Sequence, residues 1–169
     1  LGNLFEDYAY WKASTGEDLA SYSHHARDTI DYWIHATVPT FDYFASIGDQ
    51  ARVSMPVMFD YQRKLVEEAV TLYPGTAQGA RGRWWLNRIK VTDGGTGFVL
   101  GTMRYNFDFR YDLLPTTGTE QAPSSLLYDA SGTGALFARS DWSTSASWMD
   151  TNAGPYDQSH AHQDQGSFS

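Results

Sequence analysis

The sequence predicts an α+β chain in two units, helices first and strands second. Two observations carry that expectation. Apolar residues recur at helical spacing up to about residue 90, and from about residue 124 short apolar runs alternate with glycine turns. The expected organisation is a helical portion over 1–90, a connection over 91–123 and a strand portion over 124–169.

The elements follow in order. Residues 4–12 read as the tail of a helix with Leu4, Phe5, Tyr8 and Trp11 on one side. Ser14-Thr15-Gly16-Glu17 has the form of a capping box, a hydroxyl followed three residues later by Glu, and so predicts a helix over 17–36. Its stripe is Leu19, Tyr22, Ala26, Ile30, Trp33, Ile34 and Thr37, and Pro39 ends the segment. Gly48-Asp49-Gln50-Ala51-Arg52 reads as a polar loop in which Asp49 and Arg52 face solvent. A helix over 57–72 follows, with Pro56 at its first turn and Val57, Met58, Tyr61, Leu65, Ala69 and Leu72 inward. Pro74-Gly75 stops it, and a shorter helix over 77–89 carries Arg81, Arg83, Trp84, Trp85 and Arg88.

Beyond Thr92-Asp93-Gly94-Gly95-Thr96-Gly97 the period changes. Tyr105, Phe107, Phe109 and Tyr111 alternate with polar residues, as in an extended segment. Residues 125–128 and 135–139 flank Ser131-Gly132-Thr133-Gly134 and predict a hairpin. Residues 145–149 predict a third strand, and the segment around His160 a fourth.

Composition narrows the function. The 169 residues are 41% hydrophobic and 15% aromatic, enough for a packed core and too apolar for disorder. A formal net charge of −8 argues against general nucleic-acid binding and requires local convergence of basic groups for any polyanionic ligand. There is no cysteine, hence no disulfide and no thiolate metal site. No apolar run is long enough for a membrane helix, and Leu1-Gly2-Asn3 does not open a signal peptide. Six Trp and eleven Tyr suit either a ring-rich core or a surface that stacks on sugars.

The densest chemistry lies in Ser159-His160-Ala161-His162-Gln163-Asp164-Gln165-Gly166-Ser167-Phe168. In an extended strand His160, His162 and Asp164 share one face, where three polar groups need partners or a metal. Neutral imidazoles are good zinc ligands, but two leave a tetrahedral site incomplete. A solvated loop is the bland alternative, since Gly154-Pro155-Tyr156-Asp157-Gln158 precedes it. Phe168 reads as a core aromatic, and a domain that ends one residue later predicts a piece of a larger protein. His24, His25 and His35 on the second helix read as ordinary surface or core residues, and the arginines of 81–88 as a charged helix face in preference to a polyanion groove.

The 159–168 segment closely resembles the signature of heparinase II/III-like polysaccharide lyases. Gly134 to Trp142 resembles the opening strand of that family's sandwich, and Trp11 to Leu19 with Gly48 to Arg52 resembles the closing helices of its toroid. The resemblance implies C-terminal helices of an incomplete (α/α) toroid followed by the first strands of an antiparallel β-sandwich, with the cleft between them. It implies β-elimination next to a uronic acid in an alginate-type or glycosaminoglycan-type polysaccharide. It implies that His160 is the catalytic histidine and His162 a ligand of a structural zinc whose other ligands lie beyond Ser169. The catalytic tyrosine is placed upstream of Leu1, because the Gly-Tyr context expected around it is absent at Tyr8 and Tyr10. The implied partners are an acidic polysaccharide and the remainder of the same enzyme, with no nucleic acid and no membrane, and the implied location is periplasmic or secreted.

Two other functions fit parts of the sequence. His160-x-His162-x-Asp164 also suits a zinc metallohydrolase, although Gln165 stands where that motif places another histidine. A non-catalytic carbohydrate-binding module would use Trp84, Trp85, Trp142 and Trp148 and leaves the paired histidines unexplained.

Overall fold

The structure, a computed structural model, describes residues 2–45, 60–90, 118–155 and 165–169. Among these it is mixed α+β: four α-helices, α1 (Gly2–Thr15), α2 (His25–Ala36), α3 (Asp60–Leu72) and α4 (Ala77–Leu86), precede four strands, β1 (Leu127–Ala130), β2 (Ala135–Arg139), β3 (Trp148–Asn152) and β4 (Ser167–Phe168). The strands form one antiparallel sheet in the order β1-β2-β3-β4. The predicted strand at 105–111, the loop with Asp49 and Arg52, and the segment with His160, His162 and Asp164 lie outside the described residues.

The helical core is built from one face of each helix. Ile30 and Ile34 of α2, Val66 and Ala69 of α3 and Trp85 of α4 are fully buried, and Phe5 of α1 joins them. Burying side chains of this size contributes about 1.5–3 kcal/mol each. The packing is close enough that a Cβ on Gly82 of α4 would overlap Val70 Cγ2 and press on Ile30 Cγ2 at 3.2 Å.

Several sequence expectations need correction here. The second helix starts at His25, not residue 17, because the Ser14–Glu17 segment ends one helix instead of beginning another. Ser14 Oγ and Thr15 Oγ1 donate back to the carbonyls of Tyr10 and Trp11, four residues earlier, and Gly16 turns the chain at φ 79°. A single 3₁₀ turn, Leu19–Ser21, follows, and Tyr22 is 73% exposed.

On α1, only Phe5 of the expected stripe is fully buried, while Leu4 and Trp11 are exposed. On α3, the inward face is carried by Val66 and Val70 as well as Ala69 and Leu72. The third strand begins at Trp148, three residues beyond the start of the expected one at 145, because Ser140 and Ser147 close a turn around Asp141–Ser145.

The hairpin forms as the sequence predicts, with Ala130 paired to Ala135 across the turn. Burial alternates along β2: Ala135, Phe137 and Arg139 face the helices. Leu127, Met149 and Phe168 are exposed, so Phe168 is not a core residue of the described structure. The end of the connection, from residue 118, lies along α4: Arg83 Nε donates to the Thr119 carbonyl at 2.9 Å, and the Gln121 amide donates to that of Ala80 at 3.1 Å.

Candidate functional site

The helical layer meets the sheet along α2. Tyr32 packs edge-on against Phe137 of β2, with centroids 5.4 Å apart. His35 is buried and lies flat on Tyr128 of β1 and edge-on to Trp142. The carbonyl of His35 accepts from Trp148 Nε1 at 3.0 Å, and that of Thr37 accepts from the Arg139 guanidinium at 2.7 Å. The same guanidinium lies 3.7 Å from the centroid of the Trp142 ring. These bonds satisfy carbonyls at the end of α2 that have no partner within the helix.

Burial sets the charges at this seam. It lowers the pKa of His35 to about 4, with the nearby Arg139 cation adding to the effect. Desolvation also lowers Arg139 to about 10. His35 is therefore neutral at pH 7, as a buried imidazole beside a guanidinium must be.

Next to the seam a cleft of about 420 Å³ opens between α2 and the β1–β2 turn. One wall is the α2 face His25, Asp28, Thr29, Tyr32 and Trp33, residues at i, i+3, i+4, i+7 and i+8 of one helix. Tyr128, Asp129 and the 130–133 turn form the other. The Tyr128 hydroxyl donates to the Asp28 carbonyl across the cleft at 3.2 Å. Burial, reinforced by Asp28 and Asp31, pushes its pKa up to about 12, so it serves as a hydrogen-bond donor and not as a base near neutral pH. His25 has Ser23 Oγ 2.6 Å from Nδ1 and the Tyr8 hydroxyl 3.4 Å from Nε2.

The cleft residues were not among the sites expected from the sequence. His25 was read as an ordinary helix residue, and the signal that marks it is the i, i+3, i+4, i+7, i+8 run of His, Asp, Thr, Tyr and Trp on one face. His160 and His162 lie outside the described residues, and the structure does not place them relative to the cleft. Among the described residues no three His, Cys, Asp or Glu side chains come together as a metal site.

The tryptophans proposed for sugar stacking are otherwise engaged. Trp84 and Trp85 are core residues, and Trp142 and Trp148 are packed into the seam. The arginines of 81–88 are not a free charged face. Arg81 grips Asp31 through two bonds of 2.7 and 2.6 Å, and Arg88 reaches Glu120 at 2.8 Å.

No protein-family profile, no curated protein and no solved structure matches this chain.

Proposed function

We propose that this chain belongs to a polysaccharide lyase that cleaves uronic-acid-containing polymers, of the alginate or glycosaminoglycan type, by β-elimination. The observation that carries the reading is the His160-x-His162-x-Asp164-x-Gly166-Ser167-Phe168 segment, on a chain whose helices precede an antiparallel sheet. A cleft at the helix–sheet junction supports it, because the resemblance expects substrate between those two layers.

The chemistry follows from the bond that breaks. The proton on C5 of a uronate is acidic enough to remove only when the adjacent carboxylate is neutralised. A base takes that proton, its electron pair becomes the C4=C5 double bond, the C4–O bond breaks, and an acid protonates the departing glycosidic oxygen. His160 is the proposed residue on the sheet side. Tyr128 is excluded as the base by its raised pKa, and its hydroxyl positions the Asp28 backbone instead.

A zinc at His162 belongs to the same proposal. An imidazole suits that ion as a donor, and the described residues supply no cluster that would complete its shell. Its proposed role is to stiffen the strand that presents His160. Among the described residues no helix is long and apolar enough to cross a membrane, and the proposed location is periplasmic or secreted.

The test is incubation of the protein with alginate and with unsulfated glycosaminoglycans while ultraviolet absorbance is followed. Steady growth from a conjugated unsaturated uronate, abolished in His160→Ala, is the expected result. Loss of substrate without that absorbance rejects the reading.

A further inference from the structure

The turn that joins α1 to the following 3₁₀ segment presents two large rings to solvent. Trp11 is 46% exposed and Tyr22 73% exposed, and neither lines the cleft beside α2. Folding usually buries rings of this size. Here it fixes them in place instead. Glu17 lies between them: its Oε2 accepts from the Trp11 indole N–H at 2.9 Å, and its Oε1 accepts from the Tyr22 hydroxyl at 2.9 Å.

The carboxylate is itself positioned. The Glu17 amide donates to Thr15 Oγ1 at 3.1 Å, just beyond the left-handed turn at Gly16. Lys12 Nζ donates to Asp18 Oδ2 at 2.6 Å across the same turn, and the Ser21 hydroxyl and amide both donate to the Asp18 carbonyl. Both rings are thus tethered by their polar edges, and the surface they expose is largely ring carbon. The tether also removes rotamer freedom that a ligand would have to take away on binding. The bond to Glu17 raises the pKa of Tyr22, so its hydroxyl stays a donor at neutral pH.

Such a pair of rings suits a sugar. A pyranose with equatorial substituents carries C–H bonds on both faces and hydroxyls at its rim. Its face packs on an aromatic ring while a rim hydroxyl donates to the carboxylate alongside, which keeps acceptor sites beyond the two that the rings use. A proline-rich peptide also packs on exposed rings, but its prolines have no N–H to donate to Glu17. A uronate would bring another carboxylate towards Glu17 and Asp18, and the adjacent Lys12 is already bonded to Asp18.

We propose that Trp11, Tyr22 and Glu17 form a surface site for a neutral, β-linked, all-equatorial polysaccharide of the glucan type, separate from the cleft. The site holds the protein on such a polymer, and no bond is made or broken there. It does not depend on the lyase reading.

The experiment is calorimetric titration of the full chain with cellopentaose, for the wild type, Trp11→Ala, Tyr22→Ala and Tyr22→Phe. The wild type should bind, and each alanine variant should bind about tenfold more weakly or worse. Tyr22→Phe keeps the ring and loses the bond to Glu17, so it should lose less than Tyr22→Ala. Melting temperatures run alongside; if Trp11→Ala melts lower because the turn loosens, the more exposed Tyr22 decides, through its Phe and Ala variants. No binding by the wild type, or unchanged binding in the alanine variants, overturns the proposal. Equal or tighter binding of a mannuronate pentamer or a proline-rich peptide by the same rings overturns it as well. Lyase activity plays no part in the readout, so either reading can fail without the other.

Discussion

The imidazole of His35 lies against the phenol ring of Tyr128, with centroids 5.0 Å apart and planes 14° from parallel. That contact joins the last turn of α2 to the first strand of the sheet, and it puts a titratable ring at the buried seam between the two layers. His35 Nδ1 is buried without a hydrogen-bond partner among the described residues, so the ring fits only in its neutral form.

The first prediction concerns acid. The pKa of folded His35 is about 4, against an ordinary value of 6.5 that the unfolded chain retains. Between these values the unfolded state binds the extra proton, so the stability that His35 contributes is present above about pH 6.5 and is lost as pH falls towards 4. Urea unfolding at pH 7 and pH 4.5 should show a smaller drop for His35→Phe, which keeps the stack on Tyr128 and cannot titrate. An equal drop in both proteins would remove His35 as the cause.

Glu68 of α3 works in the opposite sense. It is 1% exposed, and burial raises its pKa to about 7 despite Lys64 Nζ at 3.2 Å. Its folded pKa lies above the unfolded one, so its contribution is full below about pH 4.5 and is lost as pH rises through 7. Glu68→Gln supplies the neutral form at every pH. At pH 8 the variant should melt no lower than the wild type, and a clearly lower melting temperature there would mean that the Lys64 pairing outweighs desolvation.

Gly82 tests the helical packing. Its missing Cβ lets α4 approach Val70 and Ile30, and Gly82→Ala should cost about 1–3 kcal/mol through overpacking, despite alanine's better helix propensity. Gly132→Ala is the control, since a Cβ there meets nothing within 4 Å. Equal unfolding midpoints for the two variants would contradict the close approach.

Which parts of this were legible from sequence depended on how local their causes are. The 131–134 turn and its flanking strands were legible because glycine turn chemistry and period-two alternation act over a few residues. The start of α2 was not, because the Ser14–Glu17 pattern is shared by a capping box and by a helix end with i−4 hydroxyl bonds. Arg81 and Arg88 looked like a charged face because their partners, Asp31 and Glu120, are distant in sequence. The cleft was illegible for the same reason: half of its wall is a helical face, but the other half comes from Tyr128 and Asp129. His160 and His162 were singled out from a local motif, and they lie outside the described residues.

The two histidines should separate by metal content. In the full protein His160→Ala should lose turnover and keep its zinc and melting temperature, because its proposed role is on the substrate. His162→Ala should lose zinc and melt lower, reducing turnover indirectly. Zinc loss in His160→Ala, or zinc retained in His162→Ala, reverses the assignment.

The most direct measurement is the mass of the products released from a uronate-containing oligosaccharide of known mass. Elimination adds nothing, so the masses of the two fragments should sum to that of the substrate, with the C4=C5 double bond on the new non-reducing end. A sum heavier by one water would mean hydrolysis, and would contradict the lyase reading in favour of a metallohydrolase built on His160, His162 and Asp164.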